Sequence, residues 1–72
     1  MREYTVIVHP DATGGYWTEV PALDGIGSQG ETVDEALSMT RDAILLWIES
    51  LKERGQPIPD DKGLVMKVGV AA

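Results

Sequence analysis

The feature that most constrains this chain is a single helix whose two ends are both marked in the sequence. Thr32-Val33-Asp34-Glu35 has the spacing of a capping box, in which the threonine oxygen accepts from the Glu35 amide and the glutamate side chain returns to the cap. Arg54-Gly55 is a C-terminal signature, and the prolines at 57 and 59 prevent continuation. Between these ends, apolar residues recur every three or four positions and predict one apolar stripe. Its members are Ala36, Leu37, Thr40, Ile44, Trp47, Ile48 and Leu51.

Short runs rich in β-branched and aromatic residues lie on both sides of this helix and predict strands. They are Tyr4–His9, Tyr16–Val20, a short edge strand around Ile26–Gln29, and Leu64–Val70. The predicted order is therefore β-β-β-α-β. Such an order is typical of an α+β domain in which a single helix covers one face of one sheet. Residues 1–72 are expected to form this one domain, because so short a chain rarely holds two.

Alternation along the strands predicts which residues the helix leaves uncovered. If Tyr4 and its even-numbered neighbours face the helix, then Ile7, His9, Trp17 and Val65 lie on the open face of the sheet. A domain of this size buries only about 60% of the surface that its unfolded chain exposes, so an open apolar face needs a cover. We therefore expect a homo-oligomer, a dimer or larger, with Ile7, Trp17 and Val65 at its interface.

The negative charge of the chain excludes two classes of partner and favours a third. The formal net charge is −6, and residues 3–40 contain seven acids but no lysine or arginine. Nucleic-acid binding and anionic membrane surfaces both require clustered cations, so neither is expected. A basic protein would be attracted to this half of the chain. The alternative, that the acids serve only solubility and turn formation, stays open at this point.

The sequence does not favour an enzyme, and we expect no catalytic residue, cofactor or metal. There is no cysteine, which excludes disulfides, zinc–thiolate sites and thiol nucleophiles. A two-metal nuclease needs converging carboxylates, but the runs 4–9 and 64–71 hold none. His9 is the only histidine, and Trp47 falls on the helix stripe, so both are interpreted as structural.

No segment of the sequence indicates export or membrane insertion. The first residues carry charge early and lack the apolar region of a signal peptide. The longest apolar run, 43–48, is far shorter than the ~20 residues of a membrane span. A cytoplasmic location is expected.

Several motifs together resemble the HicB family of antitoxins. That family's pattern runs roughly aromatic-x-x-E-[VL]-P, x-L-x-G-C, x-Q-G-x-T, x-E-E-A, then a helix and Pro-x-P. The matching segments here are Tyr16–Pro21, Leu23-Asp24-Gly25, Ser28–Thr32, Asp34–Leu37 and Gln56–Pro59. Ile26 stands where the family commonly has cysteine. Many relatives carry a C-terminal helix-turn-helix or ribbon-helix-helix domain, whereas this chain resembles the short members, so no C-terminal DNA-binding domain is expected.

The resemblance implies a partial RNase-H-like, HicB-like sheet that binds a HicA-type toxin, a small basic endoribonuclease acting on messenger RNA. Covering the toxin's RNA-binding surface would neutralise it without catalysis. The residues expected to bind the toxin are Trp17, Glu19, Asp24, Glu31 and Asp34. The alternative is a small oligomeric protein-interaction module that has no toxin partner.

Overall fold

The computed structural model describes residues 2–61 and 65–72 and contains three strands followed by one helix. Strand β1 spans Ile7–Pro10, β2 spans Tyr16–Glu19, β3 spans Gln29–Gly30, and helix α1 spans Val33–Glu53. The strands form one antiparallel sheet in the order β1-β2-β3, and α1 packs on one face of it. The predicted α+β class, with one sheet and one covering helix, is confirmed.

The two ends of α1 form as the sequence indicates. Thr32 is the N-cap, and its Oγ1 accepts from the amide of Glu35 at 3.1 Å. The Glu35 carboxyl accepts from the amide of Glu31 at 3.1 Å, one residue before the predicted return to Thr32. At the other end Gly55 has a φ of +67°, and its amide donates to the carbonyl of Lys52. This left-handed glycine ends the helix where the sequence predicts.

The core lies between α1 and the face of the sheet that carries the even-numbered residues of β2. Its members are Thr18, Val20, Leu23, Ala36, Thr40 and Leu51, all at most 5% exposed. Gly30 explains how closely the helix approaches: a Cβ there would lie 2.6 Å from the backbone nitrogen of Ala36. Glycine is therefore required for β3 to lie against the first turn of the helix.

The first and third strands differ from their predicted bounds because their pairing is partly irregular. Residues before Ile7 do not pair with β2; the amide of Thr5 instead donates to Asp61 at 3.1 Å. Residues 26–28 run beside β2, and the amide of Thr18 donates to the carbonyl of Ser28 at 2.8 Å. Regular strand pairing is limited to Gln29–Gly30.

The final predicted strand, 64–70, is not formed in the described part of the chain. Residue 64 lies outside the described residues, and residues 65–72 have no strand pairing and are exposed throughout. Val65 is 58% exposed and Val68 82%. A strand exists only through pairing with a neighbour, and among residues 2–61 and 65–72 this segment has no such partner.

Candidate partner-binding surface

The face of the sheet that points away from α1, here called the open face, carries one connected row of side chains. Ile7 pairs with Glu19, and His9 pairs with Trp17, across the β1–β2 ladder. The rings of His9 and Trp17 stack with centroids 4.1 Å apart and planes 20° apart. His9 Nε2 donates to Oε1 of Glu19 at 2.8 Å. The predicted placement of Ile7, His9 and Trp17 on the open face is confirmed.

Trp17 is the large aromatic residue of this row, and it remains 42% exposed. Stacking on His9 holds its ring in one orientation, so little side-chain entropy is left to lose when a partner covers it. Tryptophan is one of the residue types enriched among those that contribute most to binding at protein–protein interfaces. The sequence favours a structural role for His9. In the structure, that role is to stack on the ring of Trp17.

A depression of about 470 Å³ lies beside the end of β2. Glu19 and Asp24 both line it, together with the turn that contains Ile26. The turn forms because the amide of Leu23 bonds back to the carbonyl of Val20, and the amide of Ile26 to that of Leu23. Two of the predicted partner-binding acids are therefore brought together here.

A second depression of about 450 Å³ lies between the β1–β2 turn and the start of α1. Three acids line it, Asp11, Glu31 and Glu35, beside the ring of Tyr16. The amide and hydroxyl of Thr13 both donate to Oδ1 of Asp11, at 3.0 and 2.9 Å. These bonds stabilise the carboxylate and lower the pKa of Asp11 below its ordinary value of 3.8.

The predicted acids therefore divide between two places. Glu19 and Asp24 share the first depression, Glu31 lies in the second, and Asp34 lines neither but is exposed in the first helical turn. The sequence reasoning missed Asp11 and Glu35 as members of the acidic surface. Asp11 lies in the turn of the first hairpin. When β2 pairs with β3, this turn lies beside the start of α1, and that position is the signal that could have identified Asp11.

One known protein family matches most of the chain. A family described as HicB-like antitoxin of bacterial toxin-antitoxin systems matches residues 4–68. This chain belongs to the HicB-like antitoxin family. The matched range contains the open face, both depressions and the whole of α1.

Individual relatives agree with the family match. A UPF0150 protein of Thermoplasma acidophilum is 48% identical over 82% of this chain and 86% of its own length. A UPF0150 protein of Synechocystis is 39% identical over 97% of this chain and 89% of its own. The antitoxin HicB 1 of Photorhabdus laumondii is 36% identical over 78% of this chain, which corresponds to 36% of that longer protein.

An antitoxin acts on a toxin, so membership of this family implies a toxin partner and a regulatory role. The motif glycine of this HicB-like chain, Gly30, has the packing role described above, between β3 and the helix. Among residues 2–61 and 65–72, no three His, Asp or Glu side chains are grouped as a metal site would require. The helix found in that part of the chain is not long and apolar enough to cross a membrane.

Proposed function

We propose that this chain neutralises a small, basic, HicA-type toxin that cleaves messenger RNA, by covering the toxin's RNA-binding surface. The chain acts without catalysis, cofactor or direct contact with nucleic acid, in the cytoplasm and as a homo-oligomer. The observation that carries the proposal is an ordered, exposed indole on a surface whose charged residues are acidic. Trp17 shares the open face with Glu19, and its two neighbours in β2, Tyr16 and Thr18, each line one of the two depressions, which together hold five carboxyl groups.

This surface offers a basic toxin the same two interactions that RNA would offer. Proteins bind single-stranded RNA through cationic grooves that track phosphates and through aromatic rings that stack on bases. The carboxylates of the two depressions supply negative charge, and Trp17 supplies an exposed ring. A toxin surface adapted to RNA is therefore complementary to this one, and binding here would exclude the substrate.

The acids and the tryptophan are expected to act on different rate constants. Exposed acids at the rim of an interface attract a basic partner during encounter and mainly raise the association rate. Trp17 is the apolar anchor, and its contacts with the toxin must break before the complex dissociates, so it mainly sets the dissociation rate. Rim attraction also weakens as salt increases, because added ions screen exposed charges.

Binding kinetics of a triple variant test the role of the acids. Asp24→Asn, Glu31→Gln and Asp34→Asn together should lower the association rate with the toxin, and the remaining rate should depend less on salt. The matched control neutralises three exposed acids of α1, Asp42→Asn, Glu49→Gln and Glu53→Gln, and changes the net charge equally.

The contribution of Trp17 is tested separately by Trp17→Ala. We expect the dissociation rate to rise by about 30-fold or more, which corresponds to an anchor of about 2 kcal/mol. Leu46→Ala is the control, because Leu46 is also exposed, at 69%, but lies on the helix. Equal effects of the two triple variants, together with equal effects of the two alanine variants, would contradict this binding surface.

A further inference from the structure

One edge of the sheet is available for pairing with a further strand. Strand β1 is at the edge of the sheet, and within the described residues no strand pairs with it on the side away from β2. An edge strand with free backbone groups is a template for an added strand. Below that edge lies the helix groove, an apolar channel of about 610 Å³ between α1 and the residues that precede β1. Its lining includes Tyr4, Val6, Leu37, Ile44, Leu45 and Ile48.

Residues 65–70 have the composition of a strand that could pair with this free edge. In the segment, here called the arm, Met66, Val68 and Val70 alternate with Lys67 and Gly69. As a strand the arm would therefore present an apolar row to one face. The arm is instead exposed, with Met66 at 73% and Val70 at 81%. An apolar arm and an apolar groove in the same chain are both uncovered.

Two size measures show how far this chain is from a compact monomer. A folded monomer of this mass exposes about 4,400 Å², whereas this chain exposes 5754 Å². A compact domain of this length has a radius of gyration of about 11 Å, whereas the observed value is 14.0 Å, with a longest axis of 48 Å. The excess, about 1,400 Å² per chain, gives a pair of copies as much area as a stable interface buries.

The basic residues that line the groove indicate which kind of partner can bind there. Arg2, Arg41 and Lys52 line it, which is half of the chain's six basic residues. A basic toxin would be repelled here, so the groove and the acidic depressions suit different partners. Met66, Val68 and Val70 of the arm carry no charge, and in a strand Lys67 would lie on the opposite face from them.

The chain reaches the mouth of the groove just before the arm begins. Asp60 accepts from Arg2 at 2.8 Å, the carbonyl of Pro59 accepts from the hydroxyl of Tyr4 at 2.6 Å, and Asp61 accepts from Thr5. Residues 59–61 are thereby held beside the start of β1, a few residues before the arm begins in the sequence. An exposed apolar arm, in a chain whose own apolar groove it does not line, is the arrangement expected for exchange between two copies.

We propose that two copies of this chain exchange arms. Residues 65–70 of each copy add a fourth strand to the free edge of β1 in the other, and Met66, Val68 and Val70 fill its helix groove. Each copy then gains a fourth strand, which the described part of the single chain does not form, and the open face with Trp17 stays free for a toxin. This inference gives the homo-oligomer of the proposed function an interface at the arm and the groove instead of at Ile7 and Trp17, and it does not depend on a toxin.

Light scattering on a complementary pair of variants tests the exchange. The wild-type chain should have twice the 7.8 kDa mass of one copy. Leu45→Asp places a charge in the groove, and Val68→Lys places on the arm a cation that the basic residues of the groove repel, so each variant alone should be a monomer. Mixed together they should form a heterodimer, because the intact arm of the first fits the intact groove of the second. Leu45 is 51% exposed and Val68 82%, so both variants should keep the fold, which circular dichroism checks.

Leu46→Asp is the matched control, since Leu46 neighbours Leu45 but does not line the groove; it should remain a dimer. A monomeric wild type, a mixture that stays monomeric, or equal dissociation by Leu46→Asp would overturn the proposal.

A second measurement uses the unmodified chain. In a mixture of isotope-labelled and unlabelled copies, nuclear Overhauser contacts between Met66 and Leu45 should cross between copies. Contacts found only within one copy would show that the arm lies on its own body.

Discussion

A buried pair of threonines gives the most quantitative prediction for this fold. Thr40 is 0% exposed and Thr18 is 4% exposed, and their hydroxyl oxygens lie 2.5 Å apart. The Thr40 hydroxyl donates to the carbonyl of Ala36 at 2.6 Å, so the hydrogen between the two threonines belongs to Thr18. Thr18 Oγ1 also accepts from the amide of Ser28 at 2.9 Å. This chain of bonds joins α1, β2 and the segment before β3.

The substitution Thr40→Val keeps the shape of the side chain and removes the acceptor of the Thr18 hydroxyl. The fallback acceptor, the carbonyl of Ser28, is 3.3 Å away and already bonded to the amide of Thr18. Leaving a buried hydroxyl poorly bonded costs about 1–3 kcal/mol. In a domain of this size each kcal/mol lowers the melting temperature by about 4–8 °C. The expected loss is therefore visible in any standard melt.

Urea denaturation followed by circular dichroism measures this cost directly, as a lower midpoint with an unchanged slope. Thr40→Ser is the control, because it keeps the hydroxyl and loses only a methyl group, worth about 0.8 kcal/mol. The expected order of stability is wild type, then serine, then valine. A valine variant as stable as the wild type, or more stable than the serine variant, would refute the reasoning.

Three further changes test local features of the fold. Thr32→Ala removes the helix cap and should lower the free energy of unfolding by about 1 kcal/mol; an unchanged melt would mean that the cap is unimportant. Gly30→Ala places a methyl group 2.6 Å from the helix backbone and should cost about 1–3 kcal/mol, whereas Gly69→Ala, with nothing within 4 Å, should cost much less. Because the folded-state pKa of Asp11 is lowered, its stabilisation is present above pH 3.8 and is lost as pH falls through the folded pKa. Asp11→Asn should therefore be less stable than the wild type near neutral pH, with the difference shrinking in acid; a difference independent of pH would contradict this.

The features that the sequence predicted well depend on neighbours in the chain. The ends of α1 are marked by Thr32 and Gly55, whose effects act within a few residues. The open face followed from alternation, since the side chains of β1 and β2 must point to opposite faces in turn. Trp17 could therefore be placed on that face before its contacts were known.

The features that were missed depend on contacts between distant parts of the chain. Thr40 was predicted as part of an apolar stripe, and its bond to Thr18 follows only from how α1 crosses β2. Asp11 joins Glu31 and Glu35 because the first hairpin lies beside the helix start, which spacing alone does not show. The segment 65–70 has the pattern of a strand, but alternation does not say which strand it pairs with, or in which copy.

The central claim is that this HicB-like chain inactivates a HicA-type toxin by covering its RNA-binding surface with the open face. The most direct test adds increasing amounts of the purified chain to a HicA-type toxin and measures cleavage of a messenger RNA. Cleavage should stop once the chain is stoichiometric with the toxin, and Trp17→Ala should require a large excess. Full cleavage in the presence of excess wild-type chain would contradict the account and would favour an oligomeric interaction module without a toxin partner.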